Sequence, residues 1–283
     1  EIRNASGGAI HGDLRYDPIQ SDSPIVVICH SFMAFKDWGF FPHIAERFAL
    51  RGFASLIFNF SGNGVREGQS RITDFESFQN NTFSRELEDL HAVVDAAGNG
   101  TFGPTFTGRR KIVLLGHSRG GGIAIIHAAS DSRIRALVTW SAVSTFDRWT
   151  RHQKEQWRTV GHIPLAKDTA ASPLRIGIGL LNDLDLHRDR LDILGAARKI
   201  RIPWLLLHGA TDLMVHAREG RLLHEASGRP ATKFVLLEKV GHLYNAASEA
   251  EDRFQTLSGI LDMTTQWLHQ QLREDHPWNT HTP

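Results

Sequence analysis

Continuous apolar runs alternate with segments of helical spacing along most of this chain. Pro24–His30 (PIVVICH), Ala54–Phe60 (ASLIFNF), Ile112–Leu115, Ala136–Ala142 (ALVTWSA), Pro203–His208 (PWLLLH) and Lys233–Leu237 (KFVLL) are the apolar runs. Such runs predict strands buried on both faces, as in a parallel sheet. Phe41, Ile44, Ala45 and Phe48 fall at helical spacing, and Gly52 closes that segment. Leu87, Leu90, Val93, Val94 and Ala97 predict a second amphipathic helix ending near Gly98. A last one carries Leu257, Ile260, Leu261, Thr264 and Leu268. Residues 1–16 read as a hairpin turning at Ser6-Gly7-Gly8. This alternation predicts an α/β fold, with a mostly parallel central sheet and helices on both faces.

The pattern breaks between residues 143 and 200. That stretch lacks β-type runs and is rich in Trp, Arg, His and Asp, with helical patches. A structureless loop of such length inside a compact domain is improbable. It reads instead as a cap inserted between two strands, where active-site loops gather. The expected organisation is a core from 1–142 and 201–274, a cap over 143–200 and a frayed tail over 275–283.

The chemistry concentrates in Lys111–Ala124, KIVLLGHSRGGGIA. An apolar run enters Gly116-His117-Ser118-Arg119-Gly120, and a Gly-rich helical segment leaves it. G-x-S-x-G between a strand and a helix marks a sharp turn that lifts a serine clear of the sheet. Gly116 and Gly120 remove the Cβ atoms that would collide there. Ser118 then sits at a helix start, whose free N–H groups favour a developing anion.

A serine hydroxyl needs a base, and the base needs an orienting acid. Asp212 follows the buried run ending at His208-Gly209. His242 follows the next run, after Gly241. The order Ser118, Asp212, His242 predicts the catalytic triad. Asp147, shortly after Ala142, is the rival acid. Of the sixteen histidines, His208 is expected to anchor its loop and His117 to point away from the nucleophile. Two N–H donors must hold the oxyanion. One is expected from Arg119 and the other from the turn after Pro24–His30, at Phe32 or Met33.

Other features change the picture less. Met33, Trp140, Phe146 and Trp149 are candidate substrate contacts, and Trp140, Phe146, Trp149 and Trp157 are expected to cluster at the cap. Packing of the lid on the core explains the same aromatics equally well. Arg148, Arg151, Lys154 and Arg158 make the early cap basic, which is commonly a solvated helix face. Asp183, Asp185, Asp189 and Asp192 lack calcium-loop spacing and read as capping and surface charges. Hydrophobic residues make up 41% of the 283, charged residues 22%, and the net charge is +1. Nothing here favours nucleic acid. No run approaches the roughly 18 apolar residues of a membrane span. The single cysteine, Cys29, precludes an intrachain disulfide and reads as a small core residue. A cytoplasmic compartment is therefore expected, with N-terminal processing left open by Glu1.

With these residues placed, the chain resembles the α/β-hydrolase superfamily over nearly its whole length. The carrying motifs are His30-Ser31-Phe32, Gly116–Gly120, His208-Gly209 with Asp212, and Gly241-His242. Phe58–Gly68 (FNFSGNGVREG) resembles cap-bearing cinnamoyl- and feruloyl-esterase-like members. That resemblance implies the α/β-hydrolase fold, a small-molecule carboxylic ester as substrate, an acyl-enzyme intermediate, and no metal or organic cofactor. A thioesterase, a peptidase, a carbon–carbon bond hydrolase or an acyltransferase would use the same triad, and a ligand receptor would use the same scaffold. Arg119 departs from the Gln or Met of relatives. Its side chain is expected to meet a lid carboxylate, an anionic substrate group, or solvent alone.

Overall fold

The computed structural model describes residues 1–19, 22–102, 110–165, 174–246 and 254–273. In chain order the first elements are β1 (Ile2–Arg3), β2 (Ala9–Ile10), β3 (Gly12–Arg15), β4 (Ile25–Cys29), α1 (Phe41–Ala49), β5 (Ala54–Phe58), α2 (Phe75–Gln79) and α3 (Phe83–Gly98). The nucleophile strand β6 (Ile112–His117) leads into α4 (Arg119–Ala128), and β7 (Ile134–Trp140) follows. Then come α5 (Arg151–Val160), β8 (His162–Pro164), β9 (Arg175–Gly177), α6 (Ile178–Leu186) and α7 (Ile193–Ala197). The chain closes with β10 (Trp204–Gly209), α8 (Ala217–Ser227), β11 (Thr232–Leu237) and α9 (Gln255–Gln271).

Seven strands form the main sheet in the order β11-β10-β7-β6-β4-β5-β3. Six run parallel, and β3 lies antiparallel on β5 at one edge. Ser118 therefore leaves the middle of the sheet, where β6 sits between β4 and β7. Both faces are covered. Val27, Cys29 and Leu114 point to one face with Leu90, Val94, Ile123 and Leu223. Val26, Ile28 and Leu115 point to the other, with Phe41, Ile44, Leu257 and Leu261. That two-sided burial is why the strands read as unbroken apolar runs.

Local chemistry sets the helix ends. Pro42 opens α1 within its first two positions, where a missing N–H costs nothing. The Thr82 hydroxyl accepts from Arg85 N–H at the start of α3. Thr150 and Gln153 close a capping box on α5, which stops at Gly161 with φ +85°.

The fold departs from the sequence reading in three places. The N-terminal hairpin is only the short β1–β2 pair; β3 leaves it for the sheet edge. The segment between β7 and β10 holds an antiparallel hairpin, with Ile163 opposite Ile176. Three-residue strands are too short to show a period, which is why they went unread. Finally, α7 packs on α4 and α8, so Leu191, Ile193, Ala197 and Ile200 belong to the same core as β4. The expected tail, 275–283, lies outside the described residues. Among the described residues no helix is long and apolar enough to cross a membrane.

The β6–α4 turn has no spare volume. A Cβ on Gly120 would lie 2.4 Å from the His30 carbonyl oxygen and 2.5 Å from that of Cys29. Both obstacles are backbone and cannot rotate away. Gly120→Ala should therefore destabilise the fold by about 1–3 kcal/mol. Gly179→Ala, at a position open to solvent, should change little. Thermal unfolding of the two variants measures the difference.

Candidate active site

The sharp turn expected at Ser118 is strained. Ser118 has φ +56° and ψ −120°, a region that non-glycine residues seldom occupy. Its N–H donates to the Trp140 carbonyl at 2.9 Å, and its own carbonyl accepts from Val143 N–H at 3.2 Å. These bonds to the end of β7 and the chain just beyond hold the turn in place. The serine is buried but for a sliver, at 8% exposure.

Asp212 and His242 meet. His242 Nδ1 lies 2.7 Å from Asp212 Oδ2. The other carboxylate oxygen accepts from the N–H groups of Met214 and Val215, each at 2.9 Å. Burial alone would push the Asp212 carboxyl up. The bonds from His242 and Val215 win and hold it at about 2. Asp212 is therefore a fixed anion at neutral pH, and His242 keeps Nδ1 protonated and Nε2 available. Asp147 is not part of this arrangement: it pairs with Lys154 in the exposed segment before α5. His208 does anchor its loop, with Nε2 2.8 Å from the Val215 carbonyl oxygen.

His117 has a contact the sequence did not show. Its ring lies beside that of His242, with centroids 4.7 Å apart. Its Nε2 is 3.0 Å from the His242 carbonyl oxygen. The residue next to the nucleophile thus supports the backbone of the imidazole partner of Asp212. A second support went unread in the sequence. Tyr244 donates its hydroxyl to Ser141 Oγ at 3.1 Å, and the Ser141 hydroxyl helps hold the Asp212 carboxyl down. Nothing but the short spacing His242-x-Tyr244 hints at this.

The turn after β4 carries Phe32 and Met33. Ala34 N–H donates to the Ser31 carbonyl at 3.1 Å, and Met33 has φ +61°. His30 pins this turn from below. Its Nδ1 donates to the Ser31 carbonyl at 2.9 Å, and its Nε2 accepts from Phe60 N–H at 3.3 Å. The Phe32 ring stacks on Phe78.

Arg119 does not meet a lid carboxylate or solvent. Its Nε donates to Glu86 Oε2 at 3.0 Å, and its Nη2 lies 2.9 Å from Glu86 Oε1. The guanidinium sits over the Phe83 ring at 4.4 Å and the Phe32 ring at 5.0 Å. Burial raises the Glu86 carboxyl, and Arg119 and Asn81 oppose the rise. Glu86 was missed although a signal existed: it stands four residues before Leu90, on the buried stripe of α3. A second buried acid, Asp183, accepts from Ser84 N–H at 3.0 Å and so ties α6 to the start of α3.

The aromatic candidates separate. Trp140 is fully buried on the α9 face of the sheet, against Tyr244 at 5.2 Å. It is a core residue and does not join the other three. Phe146 stacks on Phe83 at 4.2 Å, and Trp149 meets Trp157 edge-on at 4.9 Å, on the opposite face. Near them, Arg148 pairs with Glu219, Arg151 with Glu155 and Arg158 with Asp185. The basic run is thus internally neutralised. One group among the described residues has metal-ligand geometry: the ligand atoms of His91, His127 and Asp131 lie within 4.8 Å of one another. Arg133 already reaches Asp131 at 2.6 Å, so the chain supplies its own cation there. That group stands at the far end of α4 from Ser118.

With this geometry in place, the comparisons with known proteins are specific. Residues 20–162, a little over half of the chain, match the family described as Serine aminopeptidase, S33 (Hydrolase_4). The chain belongs to that family of α/β hydrolases. The 2,6-dihydropseudooxynicotine hydrolase of Paenarthrobacter nicotinovorans is 28% identical over 167 residues, 57% of this chain and 37% of that protein. The chain spans just under two fifths of the length of the curated relatives it matches. Among solved structures, ferulic-acid-bound Est1E of Butyrivibrio proteoclasticus superposes with a TM-score of 0.70 at 17% identity, covering 96% of this chain and 99% of that one. The esterase domain of a Rhodothermus marinus protein gives 0.60 at 22% identity, covering 95% and 96%. These likenesses establish the α/β-hydrolase fold.

Two predictions follow from the buried charges. Removing one member of a buried ion pair strands the other, so Glu86→Ala should cost about 3–5 kcal/mol in denaturant unfolding. The second concerns acid. Burial lowers His30 from 6.5 to about 4 and His117 to about 3. Between pH 6.5 and about 4 the unfolded chain binds protons that the folded chain refuses, so stability falls as pH falls. His43, His127 and His208 are also lowered by burial. Asp89, raised by burial from 3.8 to about 6, and Glu86, also raised, act in the opposite sense, two groups against five. The melting temperature should therefore drop between pH 7 and pH 5, and the drop should be smaller in His117→Gln.

Proposed function

We propose that this chain is a serine hydrolase of carboxylic esters, acting through an acyl-enzyme. The observation that carries the reading is the 2.7 Å bond between Asp212 and His242, together with the φ of +56° at Ser118. The expected core of 1–142 and 201–274 carries this machinery together with α7, and the part of 143–200 that precedes α7 is read as its cap.

In this mechanism Ser118 attacks the ester carbonyl while His242 Nε2 takes its proton. Asp212, fixed by the Met214 and Val215 N–H groups, holds the imidazole in the required tautomer and stabilises its charged form. The backbone N–H groups of Arg119 and Phe32 receive the oxyanion. His242 then returns the proton to the leaving alcohol. A water deprotonated by His242 attacks the acyl-serine and releases the acid. Because Asp212 stays ionised down to about pH 2, it remains an anion throughout the working range.

The family description names a peptidase. An aminopeptidase must hold a substrate ammonium against an unshared carboxylate. Glu86, on α3 beside the nucleophile turn, is already committed to Arg119. That favours an ester over a peptide with a free amino terminus. The esterase likeness among solved structures points the same way.

The test is hydrolysis of p-nitrophenyl esters from acetyl to long acyl, with methyl cinnamate alongside. The parent should turn over at least one of these esters, and Ser118→Ala none. Asp212→Asn should lose about ten-thousand-fold in kcat while remaining folded. Full activity in Ser118→Ala would remove the reading.

A further inference from the structure

A narrow, partly open pocket of about 20 Å³ lies between the turn after β4, the turn at Ser118 and the chain entering α6, with Phe32, Met33, Asn63, Asn81, Glu86 and Arg119 in its wall. That is room for about one water-sized group. Two polar atoms of the asparagines in this wall make no hydrogen bond, Asn63 Nδ2 and Asn81 Oδ1, while Arg119 Nη2 is held by Glu86 at 2.9 Å. Both asparagines are more than nine-tenths buried. Buried polar groups in folded proteins are nearly always partnered, so two open amide ends on one small pocket need an explanation.

The orientation of each amide is set by its other end. Asn63 Oδ1 accepts from Val65 N–H at 2.9 Å, which leaves its NH₂ as a free donor. Asn81 Nδ2 donates to Glu86 Oε1 at 2.8 Å, which leaves its carbonyl as a free acceptor. Arg119 is already paired with Glu86, so neither charge is open to a ligand. A group that fills this place must accept from Asn63 and donate to Asn81. It must also be neutral, because a carboxylate or an ammonium would be buried with no charge left to oppose it. A hydroxyl meets every condition.

The sheet order says which part of a substrate reaches it. Asp212 and His242 come from the loops after β10 and β11, on one side of β6. The leaving alcohol takes its proton from His242 and so departs on that side. Phe32 and Asn63 come from the chain after β4 and β5, on the other side of β6. We propose that the cavity is the polar end of the acyl subsite, and that it binds the hydroxyl of a short, neutral hydroxyacyl ester. This rests on the ester-hydrolase reading.

Binding to Ser118→Ala protein tests it without turnover. Calorimetry would compare methyl butanoate with methyl 2-, 3- and 4-hydroxybutanoate. One hydroxy ester should bind about tenfold more tightly than methyl butanoate. Adding Asn63→Leu or Asn81→Leu should erase most of that advantage. If all four esters bind alike, the cavity holds structural water alone and the proposal fails. Should the asparagine variants not fold, the four-ester comparison still decides. Turnover of p-nitrophenyl butanoate by the parent is scored separately. Its absence alongside a retained hydroxyl preference would count against ester cleavage and for the subsite.

Discussion

The close approach of the β6–α4 turn to the end of β4 is the constraint on which the rest of this structure depends. Gly120 lies against the carbonyls of Cys29 and His30, and Gly116 against the backbone of Gly120 and Gly121. No side chain fits between them. The contact does two things at once. It forces Ser118 into a conformation that serine ordinarily avoids, and it brings the start of α4 beside the turn that carries Phe32. The strain is borne by bonds from Ser118 to Trp140 and Val143, so the end of β7 is part of the same construction.

Around that turn, buried polar groups are arranged in two sets on opposite sides of β6. On one side Asp212, His242, His117, Ser141 and Tyr244 form a chain that fixes one imidazole and keeps one carboxylate ionised. On the other, Arg119, Glu86, Asn81 and Asn63 surround a cavity the size of a single small group. The first set is closely satisfied, apart from His117 Nδ1. The second leaves Asn63 Nδ2 and Asn81 Oδ1 open. Low dielectric makes both sets consequential, because an unpaired buried group is costly where water cannot reach it. The two sets thus differ in how fully their polar atoms are partnered, the first through Asp212 and His242, the second through Glu86 and Arg119.

The helices tie these sets to the scaffold. Glu86 stands in the first turn of α3, whose apolar stripe packs on the sheet, so the Arg119 ion pair fastens the nucleophile turn to the core. Asp183 fastens α6 to the same end of α3. The segment between β7 and β10 is therefore joined to the site by a buried hydrogen bond as well as by apolar packing.

The sequence by itself determined the sheet, the helices that cover it and the three residues proposed as the acid–base–nucleophile set. It could do so because two-sided burial writes unbroken apolar runs, amphipathic burial writes a 3.6-residue period, and Ser118, Asp212 and His242 each follow such a run at its carboxyl end. What only the tertiary structure decided are relations between residues distant in the chain. Trp140 and Phe146 are six positions apart yet face opposite sides of the sheet, because the last residue of a strand takes its face from the pleat. The Arg119 side chain found Glu86, thirty-three residues away, because α3 and α4 lie side by side on one face of the sheet. His117 came to rest beside His242 because β11 delivers its loop over the end of β6. Local pattern reports what a residue buries; which partner it buries against is set by the packing of whole elements.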